Sequence, residues 1–358
     1  MSNVIKTLDP TTEPAHLRRT DPLGFYRNAF EKIHRLCNLQ LLVCPYSRVH
    51  QDESIVWEDY FKKLKRLYEM LSYGARFETP EKIRNAQILS FARNWAGIAA
   101  NDQQIIDRKT VICGRIDEWQ NWFQITLNRT IIPEVIVELR ETREKKYQGY
   151  LGVHERWKTE DHRKFAYWLR EEELALSTVL KARFARTMAR EFQIRAAQHE
   201  RTCEDVFSLM DPDFQLLIDL DAVFREAGMR EDELFGKPWE CLESEAFGDV
   251  PFVKISCHLF AALARRAPGR KKPPTKHPFN DVDMLAAYLP CCDGMFVDKE
   301  MHGLLDEQPL KKALNYGTKI FSLRSKEEFL DFLDQIESSA TTEHLAKVRE
   351  VYGDGWYR

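Results

Sequence analysis

The chain has 358 residues, of which 44% are hydrophobic and 30% are charged, and its formal net charge is −3. This composition is typical of a folded protein with one large domain or two smaller ones. The near-neutral total does not exclude nucleic acid as a partner, because a basic groove and an acidic site cancel in the sum. No apolar run approaches the roughly 20 residues of a membrane span, and the first ten residues lack the apolar core of a signal peptide. We therefore expect a cytoplasmic protein without a membrane-spanning segment.

The eight cysteines show no CxxC pair and no regular spacing. Cys291 and Cys292 are adjacent, which is an awkward geometry for an intramolecular disulfide. We expect reduced and mostly buried thiols. Because cysteines and histidines do not cluster in the sequence, no zinc site is predicted.

The first 60 residues show strands that alternate with helices. Val4–Leu8 is either a buried strand that ends at Asp9 or a loose tail in which Asp9 begins a turn. Asp21-Pro22 is a typical helix start. Leu39–Cys44 is a near-continuous apolar run of the kind found in buried parallel strands, and the polar residues after it include Glu53 and lead into a helix. This order predicts the beginning of a right-handed βαβ unit.

Residues 61–249 have an almost wholly helical pattern. The clearest helix covers His162–Val206, where Leu176 and Leu180 begin an apolar series with a spacing of four residues. We predict a large helical insertion here. Most of its basic residues are expected on solvated faces, and a minority on a substrate surface.

A strongly basic segment lies between Arg265 and His277. Proline and glycine interrupt it, so the sequence predicts a loop. The segment is either an ordinary surface loop or a set of phosphate contacts, because four carboxylates follow it directly. In the second case the nucleic-acid-binding residues are Arg265, Arg266, Arg270, Lys271, Lys272 and Lys276.

The functional hypothesis is built on the stretch that follows the basic segment. Here a helix that Pro290 stops and a short apolar strand are both flanked by acids. The order is Asp281 and Asp283, the helix Met284–Leu289, Asp293, the strand Gly294–Val297, and Asp298.

A second short strand, Thr318–Leu323, and a capping-box sequence that begins at Ser325 come next. Residues 250–335 therefore predict the order strand, helix, strand, helix after the acidic helix. Residues 336–358 form a C-terminal tail without a functional signal.

Carboxylates in this arrangement favour metal-dependent cleavage of phosphodiesters. Cutting such a bond needs a nucleophile at neutral pH and positive charge against the developing oxyanions, and Mg²⁺ or Mn²⁺ supplies both. These hard ions prefer oxygen ligands. Each acid taken alone is also explained as a helix cap or a first-turn charge, worth roughly 0.3–1 kcal/mol, but the pattern as a whole favours a metal site. The candidate ligands are Asp9, Glu53, Asp281, Asp283, Asp293 and Asp298.

The C-terminal half of this pattern resembles the PIN-like nuclease domains. In that family an acid at a helix start precedes a strand that ends in a further Asp. Asn280–Asp298 has this order, and its turn Phe296-Val297-Asp298 matches the end of the family's strand. Thr318–Leu323 and a helix over Glu327–Ile336 match the elements that follow.

The N-terminal match to the family is shorter. Cys44-Pro45-Tyr46-Ser47, with Glu53 six residues after the serine, resembles the family's second strand and the acid on the next helix. The family's first strand ends in an Asp that is usually followed by a small polar residue and Asn, whereas this chain has Leu8-Asp9-Pro10-Thr11. The resemblance covers residues 1–60 and 250–335, and the long helical middle lies outside it.

The resemblance implies an α/β fold, in which helices flank a PIN-like parallel sheet and an acidic pocket lies at one edge of that sheet. The helical middle is then a large all-helical insertion in this fold. It also implies hydrolysis of RNA, usually single-stranded, with Mg²⁺ or Mn²⁺, while the basic loop steers the strand. A protein partner would bind the helical middle. By position, the catalytic residues that hold the metal are Glu53, Asp283, Asp293 and Asp298, with Asp281 as the alternative to Asp283.

Three other interpretations of the sequence concern a binding protein, a DNA nuclease and a helical scaffold. A non-catalytic PIN-like interaction protein would use the helical middle, and the altered sequence around Asp9 favours it. A DNA nuclease would use the same metal chemistry, since only contacts to the 2′-OH distinguish RNA. A purely helical scaffold is disfavoured by the predicted strands Leu39–Cys44, Gly294–Val297 and Thr318–Leu323.

Overall fold

A computed structural model describes residues 24–55, 58–98, 111–113, 133–197, 212–234, 236–270 and 278–353. Within these ranges 76% of the residues are helical and 4% are in strands. None of the helices in this part of the chain is both long enough and apolar enough to cross a membrane.

The helices before residue 250 include two long ones, α5 and α6, that follow each other directly. In chain order the helices of this half are α1 Phe25–Asn38, α2 Arg48–Ile55, α3 Glu58–Ser72, α4 Pro80–Trp95, α5 Pro133–Thr159, α6 Phe165–Ala197, α7 Pro212–Glu226, α8 Glu231–Leu234 and α9 Lys237–Glu243.

The second half contains a buried helix, α10, and shorter helices around it. They are α10 Pro251–Arg266, α11 Pro278–Tyr288, α12 Lys299–Leu305, α13 Leu310–Ala313, α14 Lys326–Ser338 and α15 Thr342–Tyr352, with 3₁₀ turns at Glu245–Asp249, Ala267–Gly269 and Leu289–Cys291.

Two separate pairs of short strands complete the described structure. β1 (Arg76–Phe77) pairs with β2 (Ile112–Cys113) in antiparallel fashion, and β3 (Gly294–Phe296) pairs with β4 (Lys319–Phe321) in parallel. The predicted strands at Gly294–Val297 and Thr318–Leu323 are therefore confirmed. The predicted α/β fold with a PIN-like parallel sheet is wrong for the described residues, because helices dominate and neither sheet exceeds two strands.

The predicted strand at Leu39–Cys44 is wrong for a local physical reason. Gln40 adopts a left-handed conformation with φ of 55°, and its N–H donates to the carbonyl of Cys37 while the N–H of Leu41 donates to that of Leu36. This pair of bonds is the Schellman motif that closes helix α1. The side chain of Val43 is 57% exposed, so the apolar run is the end of a helix and not a buried strand. Val4–Leu8 lies outside the described residues.

The parallel pair β3–β4 is backed by aromatic rings. Phe321 packs on Phe329 and Phe332, with ring centroids 5.3 and 5.2 Å apart. Gly294 has to be a glycine here, because a Cβ atom would come within 2.9 Å of the Phe332 ring. Helix α14, which carries both of these phenylalanines, also packs on α1. The serine that starts α14, Ser325, makes no side-chain cap, so the predicted capping box does not form.

One hydrophobic core joins residues of the helical middle to the C-terminal part. Trp168 on α6 and Tyr150 on α5 belong to the same buried cluster as Leu259 on α10 and Leu285 on α11. Helix α10 makes its most extensive contact with α6 and also packs on α11. The core therefore fixes α5, α6, α10 and α11 relative to one another. Polar residues on these helices at the edge of the core are held in fixed relative positions for the same reason.

Candidate functional site

Asp283 is the predicted site residue whose surroundings are unusual. It lies in the second turn of α11 and is half-buried. Its pKa is raised to about 6, mainly by burial and then by the negative charge of Glu81 on α4, while Lys146 on α5 and Arg84 on α4 act in the opposite direction. Two carboxylates and two cations from three helices thus interact at one place. A carboxylate with a perturbed pKa of this kind is typical of functional sites.

The start of α4 holds Glu81 beside α11. Thr79 is the N-cap, and its hydroxyl accepts from the N–H of Lys82, with Pro80 pre-set for the first helical position. The hydroxyl of Tyr288 on α11 donates to the carbonyl of Glu78 at 2.9 Å, and its ring stacks on Phe77 at 4.2 Å. These contacts clamp the α4 N-terminus onto α11, so Glu81 is held near Asp283.

Arg84 is fixed by a buried ion-pair network. Asp213 at the start of α7 is 3% exposed, and both Arg84 and Arg183 bind its carboxylate. Asn85 donates from its side-chain amide to the carbonyl of Pro212 at 2.6 Å. Arg84 is therefore a fixed positive charge, whereas Lys146 is exposed and has a mobile ammonium group that can meet an anion from solvent.

Asp281 belongs to the first turn of α11. It is two residues from Asp283, and helix residues at that spacing do not share a face. Acids in a first turn are stabilised by the helix dipole. The two candidates therefore point in different directions from α11, and the choice of Asp281 as the alternative ligand stays a prediction.

Asp293 and Asp298 lie at opposite ends of β3. If the segment between them is fully extended, at about 3.3 Å per residue, their Cα atoms are roughly 16 Å apart. The backbone carbonyl of Asp293 accepts from the N–H of Lys319 at 3.0 Å. The carboxylate of Asp298 caps helix α12 and accepts from the N–H of Met301 at 2.7 Å. The structure does not bring these two carboxylates together.

Two further candidate ligands fall where the structure gives no side-chain description. Asp9 lies outside the described residues. Glu53 lies on helix α2, but its side chain is not among those described. The metal-ligand roles of Asp9 and Glu53 therefore stay predictions.

The basic residues of the predicted nucleic-acid-binding loop have intramolecular partners where they are described. Arg265 and Arg266 both bind the carboxylate of Glu307, and Arg266 also donates to the carbonyl of Gly303 at 2.9 Å. Arg270 forms an ion pair with Glu300. Lys271, Lys272 and Lys276 lie outside the described residues. Nucleic-acid binding by all six residues stays a prediction.

The described carboxylates do not form a many-ligand metal site. Within the described ranges, no group of three or more His, Cys, Asp or Glu residues could hold a metal ion. Glu81 acts electrostatically on Asp283, however, and Mg²⁺ commonly uses only one or two carboxylates and completes its shell with water and substrate phosphates. Carboxylate oxygens are the donor type that Mg²⁺ and Mn²⁺ prefer.

Sequence reasoning found Asp283 but missed its partners. Glu81 and Lys146 are far from it along the chain, and each sits in an ordinary helical pattern. One signal was present: Thr79-Pro80-Glu81 is a typical helix start with an acid in the first turn. Nothing in the sequence, however, placed that helix start against α11.

Compared with known proteins, the chain matches no family model, no curated protein and no solved structure.

Proposed function

We propose that the chain is a Mg²⁺- or Mn²⁺-dependent nuclease that hydrolyses phosphodiester bonds in single-stranded RNA. The observation that carries the proposal is the half-buried carboxylate of Asp283, which has a pKa raised to about 6 and interacts with Glu81, Lys146 and Arg84. A folded protein gains no stability from such a strained carboxylate. The raised pKa of this carboxylate is explained if Asp283 belongs to a site that binds a cation together with a phosphate.

Each residue of this group has a distinct task. Asp283 and Glu81 would hold the metal ion, which lowers the pKa of water and offsets phosphate charge when bound. Lys146 is exposed and binds a phosphate oxygen of the RNA strand. Arg84 is held in place by Asp213 and contributes positive electrostatic potential to the site. Burial and Glu81 raise the pKa of Asp283 to about 6 in the free chain, and a bound cation would favour its ionised form.

The first experiment measures cutting of labelled single-stranded RNA and DNA by the full chain in Mn²⁺, Mg²⁺ or EDTA. We expect metal-dependent cutting that Asp283→Asn and Glu81→Gln each lower by at least about a hundredfold, because each removes a ligand of an ion that supplies several kcal/mol of transition-state stabilisation. Asp293→Asn is the matched control, because Asp293 is not among the charged groups that act on Asp283. The two substrates tell an RNA nuclease from a DNA nuclease.

Two results would contradict the proposal. The first is loss of cutting in Asp293→Asn with full activity in Asp283→Asn, which would place the site elsewhere. The second is a folded wild-type chain that neither cuts nor binds Mn²⁺ in a calorimetric titration.

The second result would favour a non-catalytic interaction protein. One observation supports that alternative: apolar side chains project into solvent from both long helices, Val137 and Val153 from α5, and Leu174, Val179 and Phe192 from α6. Phe192 is 67% exposed, and large exposed apolar groups are common at protein interfaces. If these exposed side chains bind another copy of the chain, Phe192→Ser lowers the sedimentation coefficient of the wild-type assembly to that of a monomer.

A further inference from the structure

A second polar cluster lies on the same face of α5 as Lys146. Tyr150 and His154 follow Lys146 at intervals of four residues, so the three side chains share one side of the helix. Tyr150 is 2% exposed and His154 is 1% exposed. The ring of Tyr150 meets Phe279 of α11 edge-to-face, with 4.9 Å between the centroids. The cluster therefore faces the beginning of α11.

Tyr150 and His154 have no hydrogen-bond partner among the residues that the structure describes. The hydroxyl of Tyr150 and both ring nitrogens of His154 are buried without one. The closest approach to an ion pair is 3.9 Å, between His154 Nδ1 and Glu155 Oε1, which is too long for a hydrogen bond. Buried polar groups in native proteins are nearly always paired with protein, water or a ligand. Two neighbouring side chains without such pairing point to a bound group.

Two cations act on the cluster, Arg270 and Lys158, and each forms an ion pair with a carboxylate, Glu300 and Glu155 respectively. Burial raises the pKa of Tyr150 to about 12, and Arg270 acts on it in the opposite direction. Burial, Lys158 and Arg270 lower the pKa of His154, and Glu155 acts against them. At neutral pH the phenol is therefore protonated and the imidazole neutral, so each offers one donor hydrogen. The positive charge of Arg270 acts on both.

Arg270 is the most exposed of the three side chains. The 3₁₀ turn Ala267–Gly269 packs on α5 and carries Arg270 directly after it. Its ion-pair partner, Glu300, stands in the first turn of α12. The side chains of this pair are 21% and 25% exposed, whereas Tyr150 and His154 lie beneath the surface. Arg270 is therefore the side chain of the cluster that is most accessible to an anion from solvent. Glu300 competes with such an anion for the guanidinium group.

We propose that Arg270, Tyr150 and His154 form a binding site for a phosphate group, which replaces Glu300 as the partner of Arg270. The guanidinium group binds phosphate oxygens in a forked geometry. The hydroxyl of Tyr150 and the N–H of His154 donate to the same phosphate and so gain the partners that they lack. That this phosphate belongs to an RNA strand rests on the proposed function, whereas phosphate binding itself does not.

The test measures binding in EDTA, where the proposed nuclease does not cut. The probes are inorganic phosphate, a 5′-phosphorylated single-stranded RNA and the same RNA with a 5′-hydroxyl, titrated into the full chain by calorimetry. Tyr150→Phe removes one oxygen atom and is expected to weaken binding about tenfold, the value of a hydrogen bond to a charged group. Glu300→Gln is expected to tighten binding, because it removes the competing carboxylate. The matched control is Tyr288→Phe, which removes a buried hydroxyl that is bonded to the backbone.

The three probes distinguish the sources of the phosphate. A preference for the 5′-phosphorylated RNA that Tyr150→Phe abolishes assigns the site to a strand end. An equal loss for both RNAs assigns it to an internal phosphate. A response with inorganic phosphate alone shows a site for free phosphate. Each of these results supports the proposal.

Binding that Tyr150→Phe and Glu300→Gln both leave unchanged would overturn the proposal. The His154 imidazole gives a second measurement on the wild-type chain, which decides the matter if a variant fails to fold. Its NMR resonances should shift on addition of phosphate, and unchanged resonances at saturating phosphate would also overturn it. Asp283→Asn is expected to keep phosphate binding while losing RNA cutting, so the failure of one proposal is distinguishable from the failure of the other.

Discussion

Replacing Asp283 by asparagine should stabilise the protein at neutral pH. The pKa of Asp283 is raised from 3.8 to about 6 by burial and by Glu81. The folded chain therefore holds this proton more tightly than the unfolded chain does. Between about pH 4 and pH 6 the folded state binds more protons, so its stability falls as the pH rises. Above pH 6 the full cost of the charged carboxylate is present.

The cost follows from the difference between the two pKa values. At about 1.36 kcal/mol for each pKa unit, the shift corresponds to about 3 kcal/mol at pH 7. Because Asp283 is only half-buried, solvent screening reduces this figure, and we expect a gain of about 1–2 kcal/mol in Asp283→Asn. Asparagine has the shape of the protonated acid and carries no charge, so the gain should be smaller at pH 4.5 and should vanish only below the unfolded pKa of 3.8.

The assay is urea unfolding of the wild-type chain and of Asp283→Asn at pH 4.5 and pH 7.5. Taking the difference between the two proteins cancels the other titrating groups. Asp331→Asn on the exposed surface of α14 is a suitable control for removing one acidic residue. A lower free energy of unfolding of Asp283→Asn than of the wild-type chain at pH 7.5 would contradict this prediction, because the carboxylate would then have a stabilising partner.

Three further predictions concern individual polar contacts and are tested by urea unfolding. Asp298→Ala should lower the free energy of unfolding by about 1 kcal/mol through loss of the α12 cap, whereas Asp298→Asn should keep the cap; equal losses in both would exclude capping as the main role. Tyr288→Phe should cost about 1 kcal/mol, while Tyr150→Phe should be neutral or stabilising, and the reverse order would mean that the Tyr150 hydroxyl has a partner in the free protein. Asp213→Ala should cost about 3 kcal/mol because Arg84 is left buried and unpaired, and a loss below about 1 kcal/mol would show that Arg84 finds water instead.

The sequence predicts local elements where hydrophobic pattern and breaker residues agree. The acidic helix was expected to end at Pro290, and the structure has α11 over Pro278–Tyr288 followed by a 3₁₀ turn through that proline. β3 and β4 lie within the predicted strands. Leu39–Cys44 failed because a short apolar run does not distinguish a buried strand from the closing turn of a helix. There the helix closes through the left-handed conformation of Gln40, and the sequence has no glycine at this position that would have predicted the helix end.

The candidate site is less predictable because it is assembled from distant segments. The acids of residues 280–298 were expected to converge, but Asp293 and Asp298 occupy the two ends of one strand. Asp283 instead interacts with Glu81 and Lys146, which helix packing brings to it. Local patterns fix where helices begin and which face is apolar. They contain no information on which helix end lies against which neighbour.

Helix α5 connects the two proposed sites and sets the distance between them. Lys146 belongs to the carboxylate site, whereas His154, two turns later, belongs to the phosphate site. At about 1.5 Å per residue the two positions are about 12 Å apart along the helix axis. Since α5 is anchored in the core through Tyr150 and Trp157, this distance is fixed. If the phosphate site holds the 5′-phosphate of an RNA strand, the proposed nuclease would therefore cut at a constant number of nucleotides from that end. Sequencing gels of 5′-phosphorylated RNAs of different lengths should show a 5′ product of one size, and Tyr150→Phe should spread the product sizes. Products whose size follows the length of the substrate would show that the two sites do not act on the same strand.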